Sequence, residues 1–482
     1  MQMTTTTTGA AAGSNTALVM ALTIAATLGG LLFGYDTAVI SGVTDAITYT
    51  FVEPRHLAEA DANFLSGLAI SIALLGCVLG AALAGPISTK IGRKSGLLIA
   101  GILFFVSSLG AGYPEFFWSL FGATGYHALP PFLFYRVMGG TAIGMASMLA
   151  PMYIAEVAPP SRRGMLVTFQ QIAIVGGINL VYVVNWAIQE GHSRAYLMST
   201  AWRHMLASAA IPALLLIVFM LIVPETPRFL VLKDRDDEAL ALLKRLVGEE
   251  AAPSTVKEIE ATLVEHTRPL LSFGWLVVIV GIMLSVFQQV CGINAVLYYA
   301  PHMFENMGAS TSASFLQTIV VGTANVGFTL IALVTVDRWG RRPLLILGGV
   351  VMAVAMVVLG FLFDTNHVGL VALGAVIVFI AGFALSWGPV TWVMLSEIYP
   401  NSIRGKAMSI GVAAQWIMNF IVSLTFPMMD GSTFLNQHFH HGFAYWLYGV
   451  GSILAALFVL RWVPETKGRT LESIEHLWKP AH

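Results

Sequence analysis

The chain has 482 residues, 57% of them hydrophobic and only 11% charged, with a net charge of −1 and a mean hydropathy of +0.77. Soluble domains carry about 25% charged residues, so this composition excludes a soluble protein and reads as a polytopic, all-α membrane protein. The near-zero charge removes any general electrostatic case for nucleic acid, and no G-x-x-x-x-G-K-[ST] loop is present to drive ATP hydrolysis.

In chain order, residues 1–16 contain no basic residue ahead of the first apolar run. They are expected to form a short disordered tail rather than a cleaved signal peptide. Apolar segments then fall at 17–43, 64–87, 96–112, 131–154, 165–188 and 205–223. After a charged stretch they resume at 273–300, 313–336, 343–363, 368–395, 407–429 and 443–463. Each is long enough, or nearly so, to cross a bilayer, which predicts twelve transmembrane helices. The expected organisation is a six-helix bundle over 17–223, a helical linker over 224–270, a second bundle over 271–463 and a tail over 464–482. In the linker, Ala239, Leu242, Leu243 and Leu246 recur at helical spacing, as do Val256, Ile259 and Leu263, and Thr255 with Glu258 reads as a capping box. Residues 470–478 read as a similar short helix. Cys77 and Cys291 lie far apart in apolar runs and read as packing residues.

Basic residues cluster after even-numbered spans, at Lys90, Arg93, Lys94, Arg162, Arg163, Arg338, Arg341, Arg342, Arg404 and Lys406, whereas the opposite loops hold little beyond Arg55, Arg194 and Arg203. The positive-inside bias then makes both termini and the linker cytoplasmic. The two halves also repeat. Glu156-Val-Ala-Pro-Pro-Ser-Arg-Arg163-Gly returns as Glu397-Ile-Tyr-Pro-Asn-Ser-Ile-Arg404-Gly, Gly92-Arg93-Lys94 returns as Gly340-Arg341-Arg342, and Pro224-Glu225-Thr226 returns as Pro464-Glu465-Thr466. Three motifs in one order, about 240 residues apart, indicate a duplicated six-helix unit. Parallel repeats of this kind build transporters that expose a central site alternately by rocking of the halves.

Inside the seventh span, Gln288, Gln289 and Asn294 place three amides where unpaired amides are costly. On an unbroken helix Gln289 and Asn294 would point about 140° apart. Gly292 between them and Pro301 beyond them allow the helix to break and redirect those side chains. Amides offer donors and acceptors without charge, which suits a neutral, hydroxyl-rich ligand. The alternative is amide-mediated packing between helices.

The stretches GGLLFGYDTAVISG (29–42), PMYIAEVAPPSRRG (151–164), PETPRF (224–229), FQQVCGINAVLYYAP (287–301), VDRWGRRP (336–343), SWGPVTWVMLSEIYPNSIRGKA (386–407) and VPETKGRTLE (463–472) resemble the sugar-porter family of the major facilitator superfamily. The likeness is nearest to bacterial D-xylose/proton symporters, then to the human facilitative glucose transporters. It implies a mid-membrane monosaccharide site at Gln171, Gln288, Gln289, Asn294, Asn325, Trp392 and Gln415, with Phe33, Tyr298 and Trp416 nearby. It also implies an inner-membrane protein, taken as monomeric, that carries a sugar such as D-xylose or D-glucose together with a proton; a uniporter without coupling is the alternative. Xylose symporters carry Gln near Ile178 and Glu near Ala209, so both positions depart from the pattern here. No nucleophile–base or metal-ligand set converges, and no cofactor, metal or enzymatic activity is expected.

Asp36 and Arg136 are the acid and base that fall well inside spans. A charge at mid-bilayer costs about 3 kcal/mol on insertion scales, so each needs a partner or a function. In proton-coupled members of the family, the corresponding acid takes the proton and the base tunes its hold on it; a fixed structural ion pair is the other reading. Arg93, Glu156, Arg163, Arg341, Glu397 and Arg404 recur symmetrically at helix ends. They are expected to form gating salt bridges between halves or helices, exposed and individually weak. Thr89 stands where the second half has Asp337, leaving the first cluster one acid short.

Overall fold

The computed structural model describes residues 15–159, 162–263, 269–367, 369–467 and 478, and no strand occurs among them. Six helices long and apolar enough to span a membrane make the first half: α1 (Thr16–Gly42), α2 (Glu59–Lys90), α3 (Arg93–Gly112), α4 (Gly125–Val157), α5 (Met165–Gln189) and α6 (Arg194–Ile222). Six more make the second: α7 (Trp275–Tyr298), α8 (Thr311–Val336), α9 (Arg341–Asp364), α10 (Leu370–Glu397), α11 (Ser402–Asp430) and α12 (Phe443–Trp462). Within the first half α2 and α3 pack on α4 while α1 packs on α5; within the second α9 packs on α12 and α7 on α11. Two seams join the halves, α2 against α11 and α5 against α8. The sequence repeat maps α2 onto α8 and α5 onto α11, so each seam is the symmetry image of the other.

Small residues set the closeness of α2 and α4. A methyl group on Gly140 would overlap the carbonyl of Ala73, and such contact lets backbones approach where lipid supplies no hydrophobic drive. Between the halves, helices at Pro227–Leu232, Asp236–Val247 and Ala252–Leu263 follow α6. Asp236–Val247 buries Ala239, Leu242, Leu243 and Leu246, the face its spacing announced. The capping box does not form, because the last of these helices starts at Ala252 and the Thr255 hydroxyl donates to Ala251 O. Of the expected tail helix only Trp478 is described, its indole donating to Ile398 O at 3.0 Å. The N-terminal residues and 470–477 lie outside the described residues.

At the end of the bundle that carries the linker, each half holds the same bracket. Arg93 Nη2 lies 2.8 Å from Glu156 Oε1, and the Thr226 hydroxyl donates to Glu156 Oε2 at 2.7 Å. Glu225 Oε1 accepts the backbone N–H groups of Arg93 at 3.0 Å and Lys94 at 3.1 Å, capping the start of α3. In the second half Arg341 Nη2 lies 3.0 Å from Glu397 Oε1, Thr466 donates to Glu397 Oε2 at 2.5 Å, and Glu465 accepts the N–H groups of Arg341 and Arg342. Burial pushes the Glu465 carboxyl up, but four backbone N–H groups outweigh it and hold the group below the usual carboxylate range. These pairs join helices within one half, not one half to the other. Nor are they fully exposed: the side chains of Arg93 and Glu156 keep 5% and 13% of their accessible surface, those of Arg341 and Glu397 13% and 26%. Arg163 is exposed and makes no ion pair among the described residues, while Arg404 Nη2 donates to Tyr399 O at 3.3 Å. Thr89 spends its hydroxyl on its own helix, and the side chain of Asp337 lies outside the described residues.

Removing one partner of a buried pair leaves the other charge stranded, a loss of about 3 kcal/mol. Glu156→Gln should therefore lower the thermal unfolding temperature of the purified protein clearly. Glu238→Gln, which breaks the exposed pair with Arg235, should leave it almost unchanged; equal shifts for the two would contradict the bracket.

Candidate functional site

The seventh span is two helices end to end. The first runs Trp275–Val290 and the second Ile293–Tyr298. The joint is Gly292, whose φ of +87° is left-handed backbone that an L-residue resists, and where a methyl group would strike the Tyr448 ring. This break brings together the amides that a straight helix would splay. Asn294 Nδ2 donates to Gln289 Oε1 at 2.5 Å, Gln289 Nε2 donates to Gln288 Oε1 at 3.3 Å, and Gln288 Nε2 donates to the carbonyl of Trp387 at 2.8 Å. The receiving carbonyl is available because α10 widens into a π-turn over Phe383–Trp387, just ahead of Gly388-Pro389.

The amide relay forms one wall of a cavity between the halves. The first half contributes Phe33 from α1 and Gln171 and Ile178 from α5; the second contributes Gln288, Gln289, Asn294 and Tyr298 from α7, Asn325 from α8, Trp392 from α10, and Gln415 and Trp416 from α11. All ten residues singled out by sequence for a ligand site thus line one space. Phe33 and Trp416 meet across it with ring centroids 5.4 Å apart. Gln415 Oε1 and Trp416 Nε1 are buried without a protein partner. One is an acceptor and the other a donor, so both are available to a polar, uncharged guest, and the aromatic faces can take its C–H surface. Away from the linker end the Tyr182 hydroxyl, from the first half, donates to Leu297 O of the second at 2.8 Å.

Sequence reading missed Asn419, which also lines the cavity. Its amide donates to the Tyr298 hydroxyl at 3.3 Å and its carbonyl accepts the Ser423 hydroxyl at 3.2 Å. The signal was present as a stripe at Gln415, Asn419 and Ser423, four residues apart on one helix face.

Asp36 and Arg136 are both nine-tenths buried or more and face each other. Arg136 Nη1 is 3.4 Å from Asp36 Oδ1 and 3.4 Å from Oδ2, a contact through one nitrogen instead of a two-pronged fork. Arg136 Nε is buried and unpaired. Asp36 does not line the cavity. Its neighbours Phe33, Gly34, Thr37 and Ala38 do, so the ion pair lies on the back of the α1 wall and ties it to α4. Among the described residues no three or more His, Cys, Asp or Glu side chains are placed to hold a metal ion, and both cysteines are free and buried.

Residues 22–478 match the family model described as "Sugar (and other) transporter". The chain is 48% identical to the D-xylose-proton symporter of Escherichia coli K12, over 97% of both chains. It is 43% identical to the glucose facilitated diffusion protein of Zymomonas mobilis, over 97% of this chain and 98% of that one. An inward-open structure of the xylose transporter XylE from E. coli superposes with a TM-score of 0.86 at 46% identity, covering 96% of this chain and all of that one. Twelve spans in two repeated halves, one cavity between them and this match along nearly the whole chain place the protein in the sugar transporter family, on the major facilitator fold.

Proposed function

We propose that the protein is a proton-coupled monosaccharide symporter that works by alternating access, as a monomer, in a bacterial inner membrane. The observation that carries this reading is the convergence of amides from both halves on one cavity, with a buried acid–guanidinium pair behind its wall. The sugar's hydroxyls would bond Gln171, Asn294, Asn325 and Gln415, while Gln288 and Gln289 hold the relay in place. Trp392 and Trp416 would pack on its C–H face. Both termini and the linker are assigned to the cytoplasm by the basic residues at that end, so the bond from Tyr182 to Leu297 closes the external side and the structure is inward-facing. Leu79, Val218, Ile222, Val354 and Leu457 are all more than 40% exposed and would face lipid.

In the coupling step Asp36 takes a proton from outside, which neutralises it and releases Arg136. That change reaches the cavity through α1, because Phe33, about one turn before the acid, and Thr37, next to it in the chain, line the site. Inward movement of one charge through 100 mV supplies about 2.3 kcal/mol, roughly a fiftyfold accumulation of sugar. Ile178 gives the cavity an apolar wall where xylose symporters offer an amide, which favours a hexose such as D-glucose over D-xylose. The bracket at the cytoplasmic end joins helices within each half and keeps that half rigid as it rocks. A second reading, an uncoupled uniporter, is favoured by one observation: Ala209 is apolar where xylose symporters carry an acid.

Proteoliposomes with and without a pH gradient separate the two. The symporter accumulates labelled sugar only with the gradient inward, whereas a uniporter equilibrates it under both conditions. Asp36→Asn should abolish accumulation and spare counterflow; loss of both would return the pair to a structural role. Gln415→Leu strands no protein partner, and should weaken sugar binding about tenfold, the worth of one hydrogen bond of about 1.4 kcal/mol. Titration of the purified variant with sugar checks this, and an unchanged affinity would remove Gln415 from the site.

A further inference from the structure

The end of the bundle away from the termini holds a charged cluster that neither the cavity nor the Asp36–Arg136 pair uses. His302 lies on the short helix Ala300–Asn306, just past α7. Its ring bridges two carboxylates: Nδ1 is 2.9 Å from Asp45 Oδ1, and Nε2 is 3.1 Å from Asp430 Oδ2. Asp45 sits on the helix Thr44–Ile47 that follows α1 in the first half, and Asp430 ends α11 in the second. The bridge therefore crosses the opening. Ionised carboxylate oxygens accept hydrogen bonds and cannot donate them. With such an oxygen at each ring nitrogen, both nitrogens must carry hydrogen, and the ring is an imidazolium. A neutral ring would turn a lone pair on one of the two carboxylates.

The surrounding charges leave His302 the deciding cation. Arg194 Nη2 lies 3.2 Å from the far oxygen of Asp45, and its Nη1 lies 2.8 Å from Glu305 Oε2, adding a second link across the halves. Asp430 also receives Asn306 Nδ2 at 3.2 Å and lies 2.9 Å from His441 Nδ1. Glu53, Tyr49 and Tyr299 line the same opening. If His302 loses its proton, Asp45 and Asp430 face each other through a neutral ring.

We propose that His302 is a second protonation site, on the external face, whose proton clamps the two halves shut at that end and must leave before that end opens. Burial pushes the His302 imidazole down, but Asp430 and Asp45 outweigh it and hold the group well above the ordinary histidine value. Asp45 is pushed up by burial and held below the carboxylate range by His302 and Arg194. When the halves part, His302 loses Asp45 of the first half and keeps Asp430 of its own, so its hold on the proton weakens to a level between the closed-state one and that of a free imidazole. The clamp is then fully present below that open-state value and is lost as pH rises through the higher closed-state one. One proton is bound from outside at each closing and returned outside at each opening, so it adds nothing to the proton that travels with sugar. The clamp goes beyond the coupling reading, and needs only that the halves rock.

The test uses the full-length protein in lipid nanodiscs, with spin labels at Leu120→Cys and Phe434→Cys, which are 79% and 66% exposed at that end of opposite halves. An Asp36→Asn background removes the other titrating acid, so a failure here is separate from a failure of the coupling assay. Pulsed dipolar spectroscopy between about pH 5 and 9 should show the wider separation gaining population as pH rises. His302→Gln should make that population independent of pH. Asp45→Asn, which removes one carboxylate and keeps the ring, should move the midpoint down by about one pH unit. A pH-independent parent, or a His302→Gln variant or Asp45→Asn variant that keeps the parent curve, would overturn the proposal.

Discussion

A neutral amide inside a membrane protein must end its hydrogen bonds on another polar group, because neither lipid nor packed side chains will take them. The relay from Asn294 through Gln289 and Gln288 to the carbonyl of Trp387 meets that demand for the donors of α7. It depends on a single residue, since only the left-handed turn at Gly292 lets Asn294 reach back to Gln289. The relay also decides what is left over. Amides already fixed to one another need no rearrangement to present their remaining faces, so a polar ligand entering the cavity would meet a wall that is already set. The unpaired acceptor of Gln415 and donor of Trp416 face the same space from α11.

A site made by two halves works only if each half keeps its shape while the other moves. The duplicated bracket supplies this at one end: a carboxylate from α4 or α10 is held by an arginine and by a threonine hydroxyl, and a second carboxylate caps the helix that begins at that arginine. Close glycine packing of α2 on α4 adds stiffness in mid-membrane. The seams α2–α11 and α5–α8, exchanged by the repeat, are then the surfaces along which rigid halves can rock.

Much of this was legible in the sequence, for physical reasons. Hydropathy gave twelve spans because lipid tolerates few charges, and the repeat gave two halves because both brackets need the same residues at the same spacing. The amides of α7 could be suspected from Gly292, yet their relay could not be drawn, since its last acceptor is a backbone carbonyl freed by a π-turn in α10. The bracket pairs looked exposed from their place at helix ends. They are partly buried, and Thr226 and Thr466, hydroxyls with no charge to advertise them, bond their carboxylates. His302, Asp45, Asp430 and His441 carried no signal at all, being scattered over two short helices, a helix end and a turn, with Asp45 brought to the other three only where the two halves meet.

The two ends of the bundle therefore differ in kind. At the linker end the charges named in the bracket are satisfied inside each half, so rocking leaves them paired and changes their energy little. At the other end His302 and Arg194 are satisfied across the halves, so rocking makes or breaks those contacts outright. A contact that survives a motion cannot bias it, whereas one that exists in a single state shifts the balance by its whole worth. Electrostatic control of the cycle by these groups thus belongs to the end away from the termini, and within that cluster the imidazole of His302 is the bridging group whose charge changes over the pH range that living cells meet.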